Sequence, residues 1–129
     1  MFKIDGELTI HLTRGDSANL DVFPMVENNG EKEAYTFVEG DVVRLSVVEK
    51  GNYSNVVLRK DVEATAGEQS ATIKLTKDDT RFGEVISAPV EYWYEIEINP
   101  DKETAQTIVG YDDNKAKKLM LYPEAVDSK

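Results

Sequence analysis

The chain has 129 residues, no cysteine, one histidine and a formal net charge of -10. A domain of this length buries roughly 70% of its unfolded surface without a metal or disulfide staple, and the missing cysteine excludes disulfides, thiolate zinc sites, iron–sulfur ligation and a cysteine nucleophile together. The acidity serves solubility and argues against nucleic acid and anionic membranes as partners, because both are bound through cationic patches and released counterions.

The opening residues, Met1-Phe2-Lys3-Ile4-Asp5-Gly6, carry charges where a signal peptide would need an apolar core. No stretch approaches the ~18 apolar residues of a membrane helix, so synthesis in the cytoplasm without a secretion address is expected. Period-two alternation then begins. Residues 8–12 alternate apolar and polar side chains, Arg14-Gly15-Asp16-Ser17 reads as a turn, and residues 18–23 form a second strand that Pro24 interrupts at an edge or bulge. Residues 27–32 are a polar turn cluster, followed by a short strand at 35–37 and the Glu39-Gly40-Asp41 turn.

Residues 42–48 set Val43, Leu45 and Val47 against Val42, Arg44, Ser46 and Val48, and Lys50-Gly51-Asn52-Tyr53-Ser54 reverses the chain into a strand at 56–62. That loop is longer than the two-residue minimum of a hairpin. Residues 70–76 place Ala71, Ile73 and Leu75 on one face. Thr76 is a good N-cap, with acids in the first turn after it, and Gly83 limits the helix to a single turn. The clearest strand, Val90–Ile98, puts Val90, Tyr92, Tyr94, Ile96 and Ile98 on one face and Glu91, Trp93, Glu95 and Glu97 on the other. Asn99-Pro100-Asp101-Lys102 turns it into strands at 106–111 and 118–122, the last ending at Pro123. About eight strands, one helical turn and no internal repeat or linker predict a single β-sandwich domain over residues 1–129.

Chemistry-bearing groups are few. His11, the only histidine, lies on the polar face of the first strand and is expected to face solvent; one imidazole supports neither a Ser-His-Asp arrangement nor a histidine metal cluster. Arg14-Gly15-Asp16 spells a tripeptide that integrins read, but its bland reading is a tight turn whose glycine supplies positive φ. Hard oxygen ligands gather at Tyr111-Asp112-Asp113-Asn114, where Asp41 or Asp101 would have to join them to hold calcium. The spacing fits no EF-hand, and no metal or cofactor is expected. Nothing marks a catalytic carboxylate pair among the 25 acids, and Glu91, Glu95 and Glu97 read as a solvated face.

Trp93 is the anomaly of that face. It is either covered, as part of a satellite cluster under a loop or the helical turn, or exposed as a contact surface. Trp93, Tyr53 and Tyr111 together are the candidate interaction surface, and as stacking platforms they support a carbohydrate-binding module.

Taken together, these turns and strands resemble the N-terminal domain of the baseplate upper protein of phages and prophages of Gram-positive bacteria. The likeness is carried by Thr13-Arg14-Gly15-Asp16-Ser17-Ala18 and the strand after it, by Tyr35-Thr36-Phe37-Val38-Glu39-Gly40-Asp41-Val42-Val43-Arg44-Leu45, by Val90-Glu91-Tyr92-Trp93-Tyr94-Glu95-Ile96, and by Thr107-Ile108-Val109-Gly110. The resemblance implies an immunoglobulin-like antiparallel β-sandwich that attaches other tail or baseplate proteins in the virion, with no catalytic residue and no cofactor. It further implies synthesis in the bacterial cytoplasm and a final place in the particle, with copies of the chain itself as a further class of partner. Many members carry a long extension after this domain, whereas this sequence ends at Lys129; a small stand-alone virion protein or a prophage remnant fits equally. Arg14, Gly15 and Asp16 form the most family-like turn, and the role expected of it is to fix the first hairpin.

Overall fold

The computed structural model describes residues 1–110 and 115–124. Its strands are β1 (Phe2–Ile4), β2 (Ile10–Thr13), β3 (Ala18–Val22), β4 (Met25–Asn28), β5 (Glu31–Ala34), β6 (Val42–Glu49), β7 (Asn52–Glu63), β8 (Ala71–Leu75), β9 (Val90–Ile98), β10 (Gln106–Val109) and β11 (Lys117–Tyr122), with one 3-10 turn at Asp79–Arg81. The all-β sandwich follows the alternation, with eleven strands where about eight are expected.

The large sheet has the order β1-β2-β11-β9-β6-β7. Strand β9 is its spine. Along β9, β6 covers one side, while β11 pairs with the first half of the other side and β10 with the second. Pairing is antiparallel throughout the described residues except between β2 and β11, which run parallel. Strands β3 and β8 form the second layer, and β4 and β5 form a separate two-stranded ribbon.

The core lies between the layers. Tyr92, Tyr94, Ile96 and Ile98 of β9, Val43, Leu45 and Val47 of β6, and Ala71, Ile73 and Leu75 of β8 are all buried there, as their alternation predicts. Full burial of a side chain such as Leu45 contributes about 2 kcal/mol in area terms. Strand β6 lies between two neighbours, and its other face is covered too: Ser46 and Val48 are also buried.

Three strands escape the alternation. The polar turn expected at 27–32 is the tip of a hairpin with paired strands on either side: Asn28 pairs with Glu31, and both intervening residues, Asn29 and Gly30, have positive φ of 53° and 81°. That is the conformation of a two-residue turn matched to strand twist. Ribbon β4–β5 therefore exists although β5 reads Glu31-Lys32-Glu33-Ala34, with no buried residue. Strand β1 completes a hairpin with β2, closed by Asp5, whose Oδ1 accepts from the backbone N–H of Glu7 and Thr9 at 2.9 and 3.1 Å.

Two other expectations need correction. Residues 35–37 make no strand; Phe37 is instead clamped to the 67–68 loop by hydrogen bonds of 2.8 and 2.9 Å and buried in the core. The β6–β7 loop is also shorter than expected, since Glu49 pairs with Asn52 across Lys50 and Gly51, and the irregularity falls within the strands as register shifts around Val48. The helical turn forms where expected. Its N-cap, however, is Asp78, without a side-chain capping bond, and not the expected Thr76; Thr76 Oγ1 accepts from the N–H of Asp79 at 3.1 Å, and Asp79 Oδ2 accepts from the N–H of Thr76 at 2.8 Å, just ahead of it.

Candidate functional site

The Arg14-Gly15-Asp16 turn is closed. Strand β2 belongs to the large sheet and β3 to the small one, so the turn carries the chain between layers and does not fix a hairpin. Arg14 is only 8% exposed; its Nη2 donates to the carbonyl of Arg81 at 3.0 Å, and its Nη1 lies 3.7 Å from Glu124. Glu124 also accepts from Arg81 at 3.1 Å. The Gly15 N–H donates to Thr80 Oγ1 at 3.0 Å, and that buried hydroxyl donates onward to the carbonyl of Asp16 at 2.9 Å. The Asp16 carboxylate pairs with the amino group of Met1. With both Nη atoms turned to partners and the buried Nε left without a hydrogen bond, the tripeptide is a structural lock between β2, the 3-10 turn and the chain after β11.

His11 departs from its expected solvent-facing state. It is partly covered, with Nδ1 2.8 Å from the Tyr122 hydroxyl and Nε2 3.0 Å from Asp5 Oδ2. The His11 hydrogen bond, with the N–H groups of Thr9 and Glu7, holds the Asp5 carboxyl below its ordinary value. The chain of contacts ties the β1–β2 loop to β11.

Trp93 is half-buried. Among the described residues its aromatic partner is Tyr53, from the start of β7, with its ring centroid 5.6 Å away at an interplanar angle of 45°. Val48 stands across from Trp93 on one side and Val56 on the other and is buried outside the main core, so a small satellite cluster forms on the outer face of the large sheet. Trp93 Nε1–H donates to Glu91 at 3.0 Å. Beyond the indole opens a hollow of about 520 Å³. The glutamates beside Trp93 are half-buried and not freely solvated; burial, with Glu97 nearby, pushes the Glu95 carboxyl up. The structure thus joins Trp93 and Tyr53, while Tyr111 and the 111–114 acids lie outside the described residues.

Asp41 and Asp101 are committed elsewhere. Asp41 is buried, and its carboxylate accepts from Tyr35 OH at 2.7 Å, the Val38 N–H at 2.9 Å and Asn99 Nδ2 at 2.9 Å. Burial alone would raise its pKa, but these bonds and nearby Lys102 outweigh burial and hold it below the ordinary value. Asp101 accepts from Arg44 at 3.1 Å. Among the described residues no three His, Cys, Asp or Glu side chains gather as a metal site.

A feature that alternation does not reveal lies between β4 and β10. Two adjoining hollows of about 290 and 370 Å³ share Met25, Val26, Gln106 and Ile108, and so form one groove. Consecutive residues of β10 line it, as do consecutive residues of β4, which marks strand edges and not strand faces. Among the described residues β10 pairs only with β9, and β4 only with β5, so backbone donors and acceptors on these edges are unused. Large apolar side chains flank the groove: Phe23 is 65%, Val38 57% and Met25 53% exposed. The Asp41 network anchors the backbone of Val38 at its rim. The exposed apolar residues just before and after Pro24 were the available sequence signal.

No protein-family model matches the chain, and no curated protein matches it.

Proposed function

We propose that the chain is a structural module of a phage or prophage tail or baseplate, acting without catalysis by attaching other tail proteins. The observation that carries the attachment is the β4–β10 groove, where three large apolar side chains are exposed beside two strand edges that no other described strand pairs. An edge of this kind recruits an extended segment of a partner as an added strand, with backbone hydrogen bonds supplying affinity and apolar pockets supplying choice. The virion setting comes from the resemblance of the turns and strands to baseplate upper protein domains. In this reading the chain is made in the bacterial cytoplasm and ends in the particle. Particles induced from the source bacterium and probed with an antibody against the chain should carry label at the tail tip. Chain found only in the cytosol, with particles unlabelled, would refute the assignment.

A second reading, a carbohydrate-binding module, is favoured by one observation: Trp93, against which Tyr53 packs, lines an open hollow on the outer sheet face.

A further inference from the structure

We propose that the hollow beside Trp93 binds an acidic saccharide, with a sugar face stacked on the indole and a carboxylate or phosphate held by lysines. The proposal rests on the second reading above and names its class of ligand.

Alternation in β9 places Trp93, the only tryptophan, on the outer face of the large sheet. Lys118 of β11 is its direct cross-strand partner, and directly opposed residues of antiparallel strands share a face. Lys50 from the β6–β7 turn, Lys115 just before β11 and Lys117 at its start bring the lysines lining the hollow among the described residues to four. In a chain of net charge -10 this is a local reversal of sign.

Two glutamates, Glu7 and Glu91, also line the hollow. Glu91 is already engaged by the indole N–H and, at 3.8 Å, by Lys50. It therefore orients the indole, and among the described residues the lining holds four lysines against two glutamates. The volume of about 520 Å³ is within the usual range for a small-molecule site. Tyr53 braces the indole without itself lining the hollow. Cationic side chains attract over roughly 8 Å at physiological salt, so they reward one acidic group beside the ring, while the field of the whole chain opposes a long polyanion such as nucleic acid.

Because Trp93 is the sole tryptophan, its fluorescence reports occupancy. Titration of the full chain with a galacturonate tetramer should give a saturable change, weakened by added salt. Affinity should fall roughly fivefold in the Lys115→Gln/Lys118→Gln double variant; both side chains are exposed, and circular dichroism should confirm that the fold is intact. Equal binding of neutral maltotetraose, unaffected by the substitutions, would overturn the acidic ligand and leave the saccharide reading standing. An equal response to inorganic phosphate or to a short single-stranded DNA would overturn the saccharide. No response to any of the four would overturn both.

Discussion

The two ends of β3 are treated in opposite ways. Before it, Arg14-Gly15-Asp16 is locked inward by Thr80, Arg81 and Glu124. After it, Phe23 and Met25 stand exposed on either side of buried Pro24, along a groove bordered by strand edges that no other described strand pairs. The end that looks like a recognition motif is structural, and the end that looks like ordinary strand continuation is the available surface. Polar groups that satisfy one another inside a fold have little left to offer a partner, whereas apolar side chains left in water gain from being covered.

If that contrast is right, the closed end should be costly to disturb. Arg14→Ala leaves the Arg81 carbonyl without its donor and Glu124 with one cation fewer, and should cost about 3 kcal/mol in urea denaturation. A loss below about 1 kcal/mol would show that the lock does not depend on the guanidinium. Gly15→Ala should cost about 2 kcal/mol, because φ there is +87° and a Cβ would stand 1.9 Å from Glu124 Oε1. The same denaturation curve checks it: a loss of only about 1 kcal/mol would mean that Glu124 moves aside and the backbone strain alone remains, and an unchanged midpoint would contradict both causes.

Acid should act next, and its sign follows from the carboxylates. Asp79 is held below its ordinary value by Lys60 and the Thr76 N–H, Asp61 by Arg44 against opposing burial, and Asp41 by hydrogen bonds that outweigh burial. Each folded pKa lies below the unfolded value, so the stability they contribute is complete above about pH 5 and is lost as pH falls below about 4. Glu95 has the opposite sign, because its raised pKa makes its ionisation unfavourable to the fold. A thermal midpoint that stays level from pH 6 to pH 2.5 would contradict the first group; Glu95→Gln should raise the midpoint at pH 7.

The main core was legible because β6, β8 and β9 each carry apolar residues at strict intervals of two, and one face of each meets the other layer. The β4–β5 ribbon was hidden because no residue of β5 is buried, leaving no hydrophobic period to detect; the Asn29-Gly30 turn was its signal. Burial of Arg14 could not be read locally, since its partners are 67 and 110 residues away along the chain. Trp93 is anomalous in the sequence, an aromatic among glutamates, but its contact with Tyr53 depends on a hairpin whose two-residue turn and shifted register set that meeting.

The open end should respond in the reverse manner. The Phe23→Ser/Met25→Ser double variant should change stability by no more than about 0.5 kcal/mol, because both side chains already face water. On the proposal that the chain is a tail module, the decisive measurement is the amount of chain recovered in purified tail particles when this variant replaces the wild-type chain. Loss of the chain from the particles, with its circular dichroism and urea midpoint unchanged, is the predicted result. Undiminished incorporation would contradict attachment through the β4–β10 groove.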